Sequence, residues 1–232
     1  MIADLLIPAL DEAESLPHTL SAIPHGVVRT VYVVDSGSVD GTAAVARAHG
    51  AEVISSRRGG GYGTACQRGL EVLAALPRPP DAVVFMDADF ADDPGEIGWL
   101  LEPLRTGAAD LVVGSRALGV REEGSMTVAQ RAGNFAATTL MRAIYHRKFT
   151  DLGPFRAIRF PALVALGMND GGNGWLAEMQ VKAARRELRV VEIPVSYRRR
   201  VAGKSKIAAT ASGAVTTTAR VLYTILRYST SR

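Results

Sequence analysis

The sequence predicts an α/β fold in which helices flank a mainly parallel sheet. Short apolar runs alternate with helix-forming segments through the first half of the chain, the order expected of strand–helix–strand units. These runs are rich in Val, Ile and Leu, which is typical of strands buried on both faces. With 232 residues, the chain is long enough for one such domain and too short for two.

Eleven elements can be placed from the pattern of apolar residues. In the first half, strands are predicted over 3–7, 30–34, 51–54, 82–86 and 111–113, with a helix over 42–49. The second half is less regular, with helices predicted over 128–145, 175–186 and 207–228 and strands near 155–159 and 189–193. The last of these helices is amphipathic, with one apolar face and an opposite face that carries Thr and Arg.

Acidic residues mark two of the predicted helix starts. Asp11 with Glu14, and Asp93 with Glu96, have the spacing of a capping box, in which each side chain bonds the other residue's backbone N–H. Asp92 is expected to act as a cap residue together with Asp93.

Composition and cysteine content point to a folded protein of a reducing compartment. Hydrophobic residues make up 47% and charged residues 22%, and the single cysteine excludes an internal disulfide and multi-cysteine zinc motifs. The first residues lack the pattern of a signal peptide, and no apolar run reaches the ~18 residues of a membrane span. We therefore expect a cytoplasmic protein.

Basic residues are concentrated at the C-terminal end. After Glu192 there is no further acidic residue, and eight of the 27 basic residues follow it, so the 19 that remain face 23 acidic residues. The basic residues of this tail are Arg198, Arg199, Arg200, Lys204, Lys206, Arg220, Arg227 and Arg232. Such segregation favours an anionic partner, which could be phosphate, nucleic acid or a membrane surface.

Carboxylates follow two of the predicted strands. Asp35 comes directly after the second strand, where a ligand role and a turn-forming role are equally compatible with its position. Asp87 and Asp89 end the fourth strand, and strand alternation places both side chains on one side. Two such carboxylates suit Mg²⁺ or Mn²⁺, which can bridge two phosphates and neutralise a departing diphosphate.

A glycine-rich loop, residues 59–63, precedes a predicted helix start and could cradle phosphate. It does not fit the dinucleotide-binding fingerprint, because that motif follows the first strand and its third glycine is replaced here by Cys66. This departure removes most support for a dehydrogenase.

Taken in order, six motifs resemble glycosyltransferase family 2, whose fold is the Rossmann-like GT-A fold. Three are common to the family: Ile-Pro-Ala-Leu-Asp-Glu-Ala from residue 7, Val-Val-Asp-Ser-Gly-Ser-Val-Asp-Gly-Thr from residue 33, and Met-Asp-Ala-Asp from residue 86. Three more resemble the branch that makes dolichyl- or polyprenyl-phosphate mannose or glucose: Gly-Ser-Arg from residue 114, Thr-Asp-Leu-Gly-Pro-Phe-Arg-Ala-Ile from residue 150, and Arg-Val-Ala-Gly-Lys-Ser-Lys from residue 200. The resemblance extends over residues 2–206.

The resemblance implies a function for several residues. The base and ribose of the donor would be lined by Pro8, Leu10, Glu12 and Asp35. The metal ion and diphosphate would be held by Asp87 and Asp89. Phosphates of donor or acceptor would contact Arg116 and Arg200, while a mobile loop with Lys204 and Ser205 would cover the site.

Three residues depart from the family pattern. Ser36 stands where relatives often have a second aspartate, Leu10 where they have an aromatic residue, and Ala91 where they have a Gln near the metal. The sequence therefore does not choose between a GDP-hexose and a UDP-hexose donor.

The expected organisation is one GT-A domain over residues 1–232. Residues 1–115 would form the nucleotide-sugar-binding half, residues 116–206 the acceptor half and residues 207–232 the C-terminal amphipathic helix. That helix would either pack on the protein's own core or, with Lys204 and Lys206, make peripheral contact with the cytoplasmic membrane face. The oligomeric state is not indicated.

The expected activity is transfer of mannose or glucose from a sugar nucleotide to a polyprenyl phosphate, with inversion as the resemblance implies. A phosphate monoester is already anionic near neutral pH, so this acceptor requires positioning and charge stabilisation more than a general base. The alternative is a soluble hydroxyl acceptor, which would require a base, and Glu178 is the candidate, although a structural contact explains it equally well.

Two further alternatives explain less of the sequence. A module that binds nucleic acid or an anionic surface would leave the strand-end aspartates unexplained, and no cluster of aromatic residues is available for base stacking. A nucleotidyltransferase would need a glycine-rich loop bearing a lysine after the first strand, where the sequence has Pro8, Ala9 and Leu10. We therefore expect no nucleic-acid partner.

Overall fold

A seven-stranded sheet forms the centre of the computed structural model, which describes residues 1–202 and 211–229. The strands are β1 (Ala3–Ala9), β2 (Val31–Asp35), β3 (Glu52–Ser55), β4 (Ala82–Phe85), β5 (Leu111–Ser115), β6 (Arg156–Arg159) and β7 (Val190–Pro194). Their order in the sheet is β3-β2-β1-β4-β6-β5-β7. All strands are parallel except β6, which pairs antiparallel with both β4 and β5. The predicted α/β fold with a mainly parallel sheet is confirmed.

Eight α-helices cover the sheet in the described part of the chain. They are α1 (Leu16–Ser21), α2 (Thr42–Ala48), α3 (Tyr62–Ala74), α4 (Ile97–Arg105), α5 (Val128–Tyr145), α6 (Phe160–Leu166), α7 (Trp175–Arg185) and α8 (Ala211–Arg227), and a 3₁₀ turn, Pro94–Glu96, precedes α4. The bounds of α5 agree with the prediction, whereas α6 was not predicted. Residues 207–210 of the predicted last helix lie outside the described residues.

Two hydrophobic cores, one on each face of the sheet, result from strand alternation. Leu5 and Ile7 of β1 point to the face covered by α4, whereas Leu6 between them points to the face covered by α3, α6 and α7. On the second face Phe85 and Trp175 are fully buried. Burial on both faces explains why the strands read as continuous apolar runs.

The C-terminal helix packs against the protein itself. Val221, Leu222 and Ile225 of α8 join Met141 of α5 and Val181 of α7 in a third hydrophobic cluster, and Ile225 is fully buried. The amphipathic helix was therefore correctly predicted. The C-terminal part of its apolar face packs on the protein, as in the first of the two alternatives, whereas Val215 is 68% exposed. Within the described ranges, no helix has both the length and the apolarity that a membrane crossing requires.

The strand order places an opening between the ends of two strands. Because β2 and β3 lie on one side of β1 and β4 lies on the other, the chain reverses its direction of growth between β1 and β4. In parallel sheets this reversal leaves a crevice beyond the carboxyl ends of the two strands. The segments that follow β1, β2 and β4 therefore converge there.

The acidic cap predictions were only partly correct. Asp93 does cap the 3₁₀ turn by accepting from the Gly95 N–H, but the Glu96 carboxylate accepts from the Ser196 N–H, so the reciprocal box is absent. Asp11 has a φ of 49° and accepts from the Val39 N–H, because it joins two loops instead of starting a helix.

Asp92 was wrongly predicted to act as a cap. It is 2% exposed, and neither of its carboxylate oxygens has a hydrogen-bond partner. Its backbone forms an isolated antiparallel bridge with Tyr197, which carries the side chain into the interior and away from the helix start.

Close packing of α3 on the sheet gives a stability prediction. A Cβ on Gly69 would lie 2.1 Å from Leu6 Cδ1, which is enclosed in the core, so Gly69→Ala should destabilise the protein by about 1–3 kcal/mol. Gly98 in α4 is the matched control: a Cβ there would lie 4.0 Å from its nearest neighbour, Val27 Cγ2. Gly98→Ala should be neutral or stabilising by up to about 1 kcal/mol. Urea unfolding measures both, and equal effects would contradict the packing argument.

Candidate active site

Two adjoining cavities open beyond the carboxyl ends of β1 and β4. The strand-end cavity, about 590 Å³, is lined on the sheet side by Pro8, Ala9, Leu10, Glu12 and Ser36 and on the helix side by Gly213, Thr216 and Thr217, with the glycine-rich loop between them. The helix cavity, about 220 Å³, lies between α5, α7 and α8 and is lined by Met126, Gln130, Gly133, Asn134, Leu152, Pro154, Leu176, Ala177, Thr218 and Val221, among others. Of the residues that the structure describes, six line both: Tyr62, Asp87, Asp89, Asn173, Arg200 and Thr217.

The site residues expected at the end of β1 and directly after it line the strand-end cavity. Pro8, Leu10 and Glu12 all lie there. Glu12 is held by neighbours, because its backbone N–H donates to Thr42 Oγ1 at 2.8 Å and its Oε2 accepts from Ser15 Oγ at 2.7 Å. A single glutamate thus fixes the start of the loop that follows β1.

Asp35 ends β2 as expected but is not a lining residue of the strand-end cavity. Its Oδ1 accepts from the Ser38 N–H at 3.0 Å, which is the turn-forming role, and the neighbouring Ser36 lines the cavity instead. The carboxylate remains half-buried at the cavity's edge.

Asp87 and Asp89 face the boundary between the two cavities. Asp89 is 3% exposed, and its Oδ1 accepts from the Ala91 N–H at 3.0 Å. Burial and the neighbouring charge of Asp89 raise the pKa of Asp87 to about 7. Burial is the larger cause of the raised pKa, because it removes the carboxylate from water, and the nearby negative charge of Asp89 adds to it.

Arg200 joins the two sides of the opening through ion pairs. Its Nη2 lies 2.6 Å from Asp89 Oδ2, and its Nη1 lies 3.4 Å from Glu12 Oε1. The guanidinium is 25% exposed and lines both cavities. The segment after β7 is therefore attached through one side chain to the loops after β1 and β4.

Arg116 is held rigidly at the wall of the helix cavity. Its Nε and Nη2 donate to the two oxygens of Asp151 at 2.8 and 2.7 Å, and its guanidinium stacks on Tyr197 with 5.0 Å to the ring centroid. Asp151 is itself 1% exposed, and its backbone N–H donates to Glu192. This pairing leaves Nη1 of Arg116 without a bond to Asp151, on a side chain that lines the cavity.

The residues at the boundary fit a divalent cation that also binds a diphosphate. Within residues 1–202 and 211–229, no three His, Cys, Asp or Glu side chains converge into a complete metal site. Two carboxylates supply only part of an octahedral shell, and Mg²⁺ commonly binds one or two carboxylates together with phosphate oxygens and water. The mutual repulsion of Asp87 and Asp89 is what such a cation would relieve.

Glu178 lies outside both cavities, at the centre of a buried polar cluster. Its Oε1 accepts from the Asn169 N–H and from Tyr228 Oη at 2.9 and 2.6 Å, and its Oε2 accepts from the Asp170 N–H at 2.8 Å. Lys182 Nζ completes the set at 2.7 Å. These four contacts favour the structural-contact alternative for Glu178 over a catalytic base.

Lys204 and Ser205, expected to cover the site, lie outside the described residues. The structure also places at the cavities several residues to which the sequence assigned no function. Tyr62, Asn173, Tyr197 and Thr217 all line a cavity. Tyr62 lies in the glycine-rich loop that the sequence had already indicated, and the Gly-Gly-Asn-Gly run at 171–174 could have signalled Asn173, because such runs mark close backbone approaches.

Comparison with known proteins agrees with this arrangement. Residues 4–167 match the model of the family described as glycosyl transferase family 2. An uncharacterized glycosyltransferase of Mycobacterium tuberculosis is 38% identical over 213 residues, which cover 91% of this chain and 92% of the relative. The undecaprenyl-phosphate mannosyltransferase of Micrococcus luteus is 32% identical over 216 residues, covering 87% of this chain and 86% of that protein.

A solved structure confirms the fold. The glucosyl-3-phosphoglycerate synthase of Mycobacterium tuberculosis, crystallised with Mn²⁺, UDP and glucosyl-3-phosphoglycerate, superimposes with a TM-score of 0.76 at 23% identity and covers 97% of this chain and 79% of that chain. The chain thus has the GT-A fold and belongs to glycosyltransferase family 2.

Proposed function

We propose that this hexosyltransferase moves mannose or glucose from a GDP- or UDP-hexose to a polyprenyl phosphate, with inversion and with Mg²⁺ or Mn²⁺. The observation that carries the proposal is the boundary between the cavities, where Asp87, Asp89 and Arg200 are shared. A nucleotide diphosphate in the strand-end cavity would have its phosphates there, and an acceptor would enter from the helix cavity.

The charges of the helix cavity suit an acceptor that is already anionic. Among its described lining residues the acids are Asp87 and Asp89, which face the proposed cation, and the bases are Arg116 and Arg200. No further carboxylate or imidazole of the described lining is available to deprotonate a hydroxyl. A phosphate oxygen needs no deprotonation, so the arginines would only have to position it.

The protein's residues would divide the work by position. Asp87 and Asp89 would hold the cation, which supplies charge neutralisation to the departing diphosphate. Arg116, oriented by Asp151, would hold the acceptor phosphate so that one of its oxygens forms the new bond to the hexose C1 as the bond to the diphosphate breaks. Arg200 would exchange Asp89 for a phosphate once the cation takes up the carboxylate.

Two relatives support the choice of acceptor. Besides the undecaprenyl-phosphate mannosyltransferase, the polyprenol monophosphomannose synthase of Mycolicibacterium smegmatis is 28% identical over 217 residues and covers 88% of this chain and 80% of that protein. A polyprenyl chain lies in a bilayer, so this acceptor entails peripheral membrane contact on the cytoplasmic face. Because Val221, Leu222 and Ile225 of α8 pack against α5 and α7, that contact would use exposed residues such as Val215 together with the basic segment 204–206.

The proposal is tested with matched acceptors. With GDP-mannose or UDP-glucose and Mn²⁺, we expect transfer of labelled hexose to undecaprenyl phosphate and none to undecaprenol, which lacks only the phosphate. EDTA should abolish the transfer. Asp89→Ala should lose activity and also the binding of Mn²⁺ in the presence of GDP or UDP, measured by electron paramagnetic resonance.

Asp93→Ala is the control for this experiment, since it removes a nearby carboxylate that lines neither cavity. It should bind Mn²⁺ as the wild type does. Transfer to undecaprenol at the same rate as to its phosphate would refute the acceptor, and full activity of Asp89→Ala in EDTA would refute the metal assignment.

The function of Arg200 can be tested with a substitution that keeps the charge but changes the hydrogen-bonding geometry. A lysine cannot contact two acidic groups, or two phosphate oxygens, in a planar fork, so Arg200→Lys should lower kcat about tenfold or more at saturating donor and acceptor. Arg199→Lys is the matched control, because the Arg199 side chain is 61% exposed and contacts surface groups such as Glu122. Unchanged turnover for both variants would show that Arg200 does not act on phosphate.

Substitution of Glu178 distinguishes a phosphate acceptor from a hydroxyl acceptor. If it is a structural hub, Glu178→Gln should lower the free energy of unfolding by about 3 kcal/mol, because Lys182 would lose its buried partner. The kcat of the folded protein should stay close to that of the wild type. Glu71→Gln, which removes an exposed pairing with Arg68, should cost less than about 1 kcal/mol.

The pH dependence of stability adds a second readout for Glu178. Burial raises the pKa of Glu178, but hydrogen bonds from Lys182, Tyr228 and two backbone N–H groups outweigh burial and hold the pKa below its ordinary value of 4.5. The stabilisation is therefore present above about pH 4.5 and is lost as the pH falls through the lowered pKa. Glu178→Gln should lack this component. A loss of turnover without a loss of stability would instead favour a hydroxyl acceptor with Glu178 as base.

A further inference from the structure

Two neutral polar side chains meet at the boundary of the cavities. Asn173 lies in the loop before α7 and Thr217 lies in α8, and Asn173 Nδ2 donates to Thr217 Oγ1 at 3.3 Å. Both residues line the strand-end cavity as well as the helix cavity. They face the opening from the helix side, opposite the aspartates that follow β4.

The transferred hexose has to pass through this boundary. Its C1 must lie between the diphosphate it leaves and the acceptor oxygen it joins, and those two groups approach from the two different cavities. The other shared residues are three charged side chains, Asp87, Asp89 and Arg200, and Tyr62, whose hydroxyl is buried. Asn173 and Thr217 are the amide and the aliphatic hydroxyl of this set. Neutral groups that both donate and accept are suited to sugar hydroxyls.

The pair is held in place by a buried network. Asp170, in the same loop as Asn173, accepts from the Gly172 N–H at 2.7 Å and from Thr224 Oγ1 of α8 at 3.3 Å. The Asp170 N–H in turn donates to Glu178, which also accepts from Tyr228 Oη just beyond α8. Loop and helix are therefore joined at Thr224 and Tyr228, about two and three turns along from Thr217.

Close backbone approach adds to this rigidity. A Cβ on Gly174 would lie 2.2 Å from Asp170 Oδ2 and 2.4 Å from Thr224 Oγ1, so the loop contacts α8 without an intervening side chain. A polar pair whose supports are packed this tightly can distinguish hydroxyl orientations, because it cannot shift to accommodate an epimer.

We propose that Asn173 and Thr217 form the hexose-recognition pair and determine which epimer of the donor sugar is used. The inference rests on the proposed function for the presence of a sugar-nucleotide donor, and it is independent of the identity of the acceptor. The pair recognises a hexopyranosyl group through its ring hydroxyls, while the nucleoside diphosphate is bound by other residues of the strand-end cavity.

The test compares epimeric donors within each nucleotide: GDP-mannose with GDP-glucose, and UDP-glucose with UDP-galactose. Affinities of the four donors and of GDP and UDP are measured by titration calorimetry with Mn²⁺ and no acceptor, and kcat/KM is measured wherever turnover occurs. Thr217→Val keeps the shape of the side chain but removes its hydroxyl. It should lower affinity and kcat/KM for the preferred epimer about tenfold, with little change for the other epimer. Asn173→Ala should also lower affinity and kcat/KM more for the preferred epimer than for the other, so that the ratio of the two kcat/KM values falls.

Three controls separate recognition from folding and from the proposed function. Thr217→Ser keeps the hydroxyl and should keep the preference, and Thr139→Val, on the exposed face of α5, should change nothing. Affinity for GDP or UDP alone should change less than twofold in every variant. Equal losses for both epimers, a matching loss for the nucleoside diphosphate, or a wild type that does not distinguish epimers would each overturn the proposal. Failure of the acceptor alone would appear as preserved donor selectivity without transfer to undecaprenyl phosphate.

Discussion

The two carboxylates at the end of β4 impose the constraint that the rest of the site satisfies. Asp87 and Asp89 lie where the strand order leaves a crevice, and burial together with the repulsion between their charges raises the pKa of Asp87. The positive charge of Arg200 offsets part of this repulsion, because Arg200 forms ion pairs with both Asp89 and Glu12. One guanidinium thus stands where a cation would act, and under the proposed function it would couple the binding of that cation to the position of the segment after β7.

A second constraint comes from the position of α8. The helix covers the third hydrophobic cluster with one face and lines both cavities with residues of another, such as Thr217. Its placement depends on Asp170, which accepts from Thr224 of α8, and on Glu178, which accepts from Tyr228 just beyond α8 and from two backbone N–H groups of the loop before α7. A glutamate that could be mistaken for a catalytic base therefore contributes indirectly, by holding the helix that completes the site.

Arg116 illustrates how the second half of the chain supplies charge to the site. Asp151 fixes its guanidinium through two hydrogen bonds, and Tyr197 supports it from one side. The motif that begins at residue 150 is thus a support for an arginine located 34 residues earlier, because β5 and the antiparallel β6 place the two segments together. The Arg116 guanidinium would therefore already be oriented when an anionic acceptor binds.

Local pattern determined much of this protein. Apolar runs located both ends of every strand to within two residues. The order of motifs after β1, β2 and β4 indicated the family and the acidic pair Asp87 and Asp89. These features depend on neighbours in the chain, so the spacing of residues along the sequence reveals them. Tertiary structure decided the rest. Asp92 is drawn inward by pairing with Tyr197, and Thr217 reaches the boundary because α8 packs between α5 and α7. Such contacts join segments distant in sequence, and no local pattern records which of them will meet.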